Sequence, residues 1–212
     1  MTLPQFHTLT TRHLNRVFDN TVATYKYYWF LGILDACVKQ GKSRINVWDI
    51  MISMVANAWY PVNYFRLSFG KSESLYDAII TLQREYNIPI NISINELTEL
   101  LQTLIQRREV RRLLNFLQMN VPFRFLRPWI DTSDDKQTVL RSQTFENGCL
   151  YKLERIDHIW WIELNPAWLP YLRENYDILT SFAYWGLTNF LQVRNPNVPN
   201  IPNKLIKREE RS

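Results

Sequence analysis

Arg107, Arg108, Arg111 and Arg112 are the side chains whose type and spacing most plainly suggest chemistry, and that chemistry is anion recognition. On a continuous helix, at about 100° per residue, the four cover an arc of about 140°. Such a stripe can neutralise several backbone phosphates, and each one neutralised steepens the dependence of affinity on salt. The competing reading is a solvated face, with the arginines paired to Glu96, Glu99 or Glu109 or with their stems lying along the core edge. A second basic group, Lys204, Lys207, Arg208 and Arg211, is diluted by Glu209 and Glu210. It reads first as a solvated tail, and Lys204, Lys207 and Arg208 are the members that would extend a nucleic-acid contact.

The remaining reactive residue types are scattered. His7, His13 and His158 have no His, Cys or carboxylate at ligand spacing, so no metal site is expected. Cys37 and Cys149 fit neither a disulfide framework nor a metal motif and are expected to be reduced thiols. Asp134 and Asp135 sit among Ser and Thr, where acids usually cap turns. Glu154 and Glu163 lack the E-x-K companion of many metal-dependent nucleases, and there is no GxSxG, HExxH or phosphate-loop motif. No catalytic residue is assigned.

The elements that must position these groups follow from composition and pattern. With 212 residues, 46% of them hydrophobic, a single domain with a sizeable core is expected. Eight Trp, eleven Tyr and eleven Phe supply bulky core material, and only five Gly argue against a phosphate-cradling loop or a turn-dense barrel. The net charge of +5 and pI near 9.2 lean towards an anionic partner. The apolar run 27–34 spans only about 12 Å as a helix, against roughly 30 Å for a bilayer core. No secretory signal opens the chain, so a cytoplasmic protein without membrane contact is expected.

The fold class expected is mainly α: a helical bundle around a buried central helix at 21–39, with a small β-hairpin at about 149–164. Further helices are expected at 47–59, stopped by Pro61, and at 72–86. Ser93 and Glu96 form a capping-box pattern that opens a long segment to about Gln118. In its first half Leu97, Leu101 and Leu104 share a side, whereas Val110, Leu114 and Leu117 cluster nearly opposite, so either the helix breaks within 106–109, the favoured reading, or it is continuous and packs against different neighbours at its two ends. Residues 121–130 read as extended or irregular, and the polar loop 131–137 as the best internal boundary. Pro166 starts a short helix, a strongly apolar helix runs 177–193, and 194–212, rich in Pro and Asn, reads as a linker or tail after a single domain of 1–193.

Four stretches carry a resemblance: YKYYWFLGILD (25–35), AWYPVNYFRLSFGK (58–71), VPFRFLRPWI (121–130) and FLQVRNPNVPNIPNKL (190–205). In this order and spacing the chain resembles the region preceding the nuclease domain in bacterial HNH endonuclease domain proteins, mostly of the Bacteroidetes. The resemblance runs across nearly the whole chain, and its segments mark kinship rather than chemistry. It implies DNA cleavage by a ββα-metal motif that would follow the RNPNVP-type linker and hold the divalent metal. Residues to Ser212 contain no such motif, so none of its catalytic or metal-binding residues is carried over. The expected role is a non-catalytic N-terminal module that contacts nucleic acid through its basic residues and positions a nuclease domain. The alternative expectation is an assembly module, dimerising through aromatics within 60–69 or binding another protein.

Overall fold

The computed structural model describes residues 3–4, 9–19, 21–70 and 73–206. A helix apolar on every side has to be surrounded, and the run 27–34 is buried at every position. After a single turn, α1 (Arg12–Asn15), this run forms α2 (Tyr25–Leu34), which packs between α3 (Val47–Asn63) and a helix from the far end of the chain. The helix then loosens into a π-turn, Asp35–Lys39, where the Lys39 ammonium pairs with Asp35 at 2.8 Å and Tyr176 donates to the same carboxylate at 2.7 Å. Gly41, with φ of +67°, ends it.

Asn46 caps α3, its side chain accepting from the Trp48 N–H at 2.8 Å. Pro61 does not stop α3, which runs on to Asn63. Lying in the last turn, the proline removes only its own bond to the carbonyl four residues back, and the burial of Pro61, Val62 and Asn63 offsets the loss. Next come α4 (Ser74–Glu85), α5 (Ile94–Leu104) and α6 (Arg108–Gln118). Both halves of the capping box are present at Ser93 and Glu96. The expected break falls between α5 and α6, with Arg107 in extended backbone at φ −78° and ψ 134°.

Residues 121–130 are not irregular throughout: Val121–Phe125 form a short helix, α7, with Pro122 in its first turn, where a missing N–H removes no bond. The loop expected as a boundary is also shorter. Asp134 accepts from the Lys136 N–H at 2.8 Å and so caps α8 (Asp135–Ser142), which packs on α7 and on the sheet. The hairpin is β2 (Tyr151–Ile156) and β3 (Ile159–Leu164), turned by Asp157 and His158, both at positive φ as a two-residue turn requires. A third strand not expected from sequence precedes both: β1 (Arg44–Asn46) pairs antiparallel with β3, giving the order β1-β3-β2. One face buries Ile45, Leu153 and Ile162, while Arg44, Lys152, Glu154 and Glu163 form ion pairs on the other.

A short helix, α9 (Leu169–Glu174), leads to α10 (Tyr176–Arg194), the second wall around α2. Two glycines make these walls fit. A Cβ on Gly32 of α2 would come within 2.9 Å of Ile50 Cγ2 on α3, and one on Gly186 of α10 within 2.7 Å of the Tyr27 ring. Tyr151 bonds two further layers to the centre, accepting from the Trp29 indole at 3.1 Å and donating to the Pro122 carbonyl at 2.6 Å. Residues 194–206 are packed rather than an extended linker. Ile201 and Leu205, one turn apart on α11 (Ile201–Leu205), are buried, and α11 lies on α3 and α10. Buried Asn195 accepts from Ser68 N at 2.8 Å and donates to Ser68 O at 2.9 Å. The architecture is mainly α with one small sheet. Among the described residues no helix is long and apolar enough to cross a membrane.

Candidate nucleic-acid interface

The break between α5 and α6 divides the arginine stripe. Arg107 lies over the Tyr86 ring at 5.4 Å and Arg111 over Trp48 at 5.9 Å. Arg111 also donates through Nε to the Ile105 carbonyl at 2.8 Å, satisfying one of the orphan acceptors at the end of α5, and through Nη2 to Gln106 at 3.1 Å. These two arginines hold the corner together. Arg108 and Arg112, one turn apart on α6, are exposed, and no ion pair among the described residues involves the stripe.

The second basic group does not join it. Lys204 is half-buried over the Phe65 ring at 5.3 Å, just past the C-terminal end of α3, whereas Arg111 sits at Trp48 near its start. A helix of 17 residues is about 25 Å long, so the two groups lie at opposite ends of it. Lys207 and Arg208 lie outside the described residues.

Other cations continue the exposed half of the stripe. Phe116 follows Arg112 by one turn, is 45% exposed, and meets Tyr25 edge-on at 6.3 Å. Tyr25 in turn lines a 120 Å³ cleft with Val22, Lys26, Arg124 and Arg127. Lys26 and Arg127 also line an adjoining cleft of 430 Å³, with Arg16, Asp19, Pro128 and Asp131. Lys26 donates to the Val17 carbonyl at 3.0 Å, and its ammonium is held below the usual lysine range by burial first, then by Arg127 and Arg124, with Asp19 opposing. Crowding of that kind is relieved by an anion. Of the two carboxylates nearby, Asp19 pairs loosely with Arg16 at 3.9 Å, and that of Asp131 acts electrostatically on Arg141.

Sequence reasoning missed Lys26, Arg124 and Arg127. Their alignment requires α7, and that segment carries two prolines among aromatics, a pattern that hides a five-residue helix. The interleaving of Arg and aromatic residues in VPFRFLRPW was the available signal.

Two other features bear on chemistry. A groove of 550 Å³ between the π-turn, α3 and α5 is polar, but its Asp35 is paired with Lys39 and its Asp49 with Lys42 at 3.4 Å. Cys37 and Cys149 are free and buried, and burial pushes the Cys149 thiol up to about 12, away from nucleophilic reactivity. Among the described residues no three His, Cys, Asp or Glu side chains are grouped as metal ligands would be. No known protein family, curated protein or solved structure matches the chain.

Proposed function

We propose that this chain is a non-catalytic nucleic-acid-contacting module that lays a phosphate backbone along Arg108, Arg112, Arg124, Arg127 and Lys26. The observation that carries the reading is the run of cations that form no ion pair among the described residues, interleaved with exposed Phe116 and half-buried Tyr25, from α6 to the clefts at the start of α2. Guanidinium groups suit phosphate because their donors form a planar fork, and the aromatics between them offer apolar faces to the sugars of the backbone. The resemblance to the region before an HNH nuclease domain supplies the context. In such a protein this module would hold DNA for a divalent-metal nuclease domain.

The test is duplex binding across a salt series for the full chain and for R108A/R112A/R124A/R127A. The variant should bind more weakly on every sequence and lose roughly one unit of salt slope per phosphate contact removed. Unchanged affinity and slope would reject the ridge. The alternative, an assembly module, draws on Tyr64, which is 55% exposed and stacked on Tyr60 at 4.6 Å. A concentration-independent monomer in sedimentation would count against self-association.

A further inference from the structure

Next to the basic cleft lies an aromatic one of 400 Å³, walled by Phe18, Tyr27, Phe182, Trp185 and Phe190. The two clefts share Asp19, and the small cleft beside Tyr25 shares Thr21 with the aromatic one, so the three run together around the start of α2. The aromatic floor is rigid: Phe18 packs on Tyr27 at 4.5 Å and on Phe182 at 5.3 Å, while Phe182 and Phe190 are buried. Trp185 is different. It is 52% exposed, the only tryptophan among the exposed large apolar side chains of the described residues, and stands at the cleft with an open ring. The rim is polar. Asn15 accepts from Leu3 N–H at 3.1 Å through its oxygen, which leaves its amide hydrogens for another acceptor, and Asn189 lines the same cleft.

We propose that these joined clefts bind one nucleotide of a single-stranded nucleic acid, its base against Trp185 and its phosphate beside Arg16, Lys26 and Arg127. The inference rests on the nucleic-acid reading above and narrows it from polyanions in general to strands with an unstacked base. Each cleft is within the 300–1,000 Å³ usual for a bound small group. One is walled by aromatic rings, the other lined by cations, and a nucleotide is the common chemical unit that is flat at one end and anionic at the other. Asn15 and Asn189 can meet the polar edge of any base, and Asp19 at the junction can accept from a sugar hydroxyl. A base inside an intact duplex presents no free face, so duplex DNA engages the basic ridge alone.

The experiment measures anisotropy of four labelled probes on the full chain: a 12-mer of thymidylate, an abasic strand of equal length and charge, a duplex, and thymidine monophosphate. The thymidylate strand should bind about 5- to 150-fold more tightly than the abasic one, the contribution of one stacked base. W185A should lower thymidylate binding to the abasic level and leave duplex binding and the salt slope unchanged. W185F, which keeps an aromatic face, should retain most of the affinity; because Trp185 lies half outside the core, both variants should keep the fold. Equal binding of thymidylate and abasic strands, unmoved by W185A, would overturn the base site while the ridge variant still tests the phosphate reading separately. Failure of every probe at low salt would overturn both. Thymidine monophosphate binding as tightly as the strand would overturn the assignment to a strand in favour of a free nucleotide.

Discussion

Arg111 donates to the Ile105 carbonyl and lies over Trp48, whereas Arg112, the next residue, faces solvent without an ion pair. On one continuous helix the four cations would be equivalent; extended backbone at Arg107, within the expected break, splits them into two that hold a corner and two that make no ion pair among the described residues. The interleaved arginines and aromatics of 123–129 hint at Arg124 and Arg127, but their alignment with Lys26 of α2 comes only from the packing of the α7 segment beside the start of that helix. Glu73 was equally silent in the sequence. It is only 4% exposed, accepts the Thr24 N–H at 2.9 Å, and burial pushes its carboxyl up to about 7 despite the opposing hydrogen bonds and Arg194. The unfolded chain releases this proton near pH 4.5, while the folded chain keeps it to about 7. Stability from this group is therefore highest below that window, falls as pH rises through it, and levels off above about 7. E73Q, whose amide oxygen can keep the Thr24 bond, should flatten that profile and be more stable above pH 8 by up to about 3 kcal/mol. Denaturant midpoints at pH 5 and pH 8 check it, and an unchanged slope between them would show that Glu73 titrates normally.

Helices announced by caps and period were readable: Asn46, the capping box at Ser93, and the phase change that located the break between α5 and α6. The hairpin was readable too, from the alternation that buries Cys149, Tyr151 and Leu153. What escaped were elements stabilised by distant partners. β1 is three residues long and exists because β3 pairs with it; α7 and α11 are single turns held by burial of Phe123, Phe125, Ile201 and Leu205. The contact between α2 and α3 depends on a missing side chain. G32A places a methyl group 2.9 Å from Ile50 Cγ2 in a buried seam, and the helices have to part to admit it. Despite the better helix propensity of alanine, a loss of about 1–3 kcal/mol is expected, read as a lower urea midpoint at unchanged m-value. An equal or higher midpoint would mean that the seam has slack.

At the scale of the molecule, the bundle around a buried centre was deducible from composition and the run 27–34, but the closure of the chain on itself was not. Residues 194–206 look like a linker because Pro and Asn dominate them; the structure uses Ile201, Leu205 and Asn195 to fasten them to α3 and to Ser68. The polar loop near 131–137 is likewise no seam between independent parts. A chain cut to residues 1–133 would lose α10 from one side of α2 and Ile162 from beside Ile45. Such a fragment should show no cooperative thermal transition by circular dichroism, and a sharp one would establish an autonomous N-terminal unit.

The pairing of β1 with β3 also orders events in time. Arg44 meets Glu163, about 120 residues downstream, and at 5–20 residues per second that partner leaves the ribosome roughly 6 to 24 s later. Through that interval Ile45 has no strand beside it, and the aromatic faces of α2 meant for α10 stay wet. Completion of this fold waits until the residues of β3 and α10 have been made. A pause or premature stop before that point leaves an apolar helix and an unpaired strand edge, the surfaces that chaperones hold and that aggregates grow from.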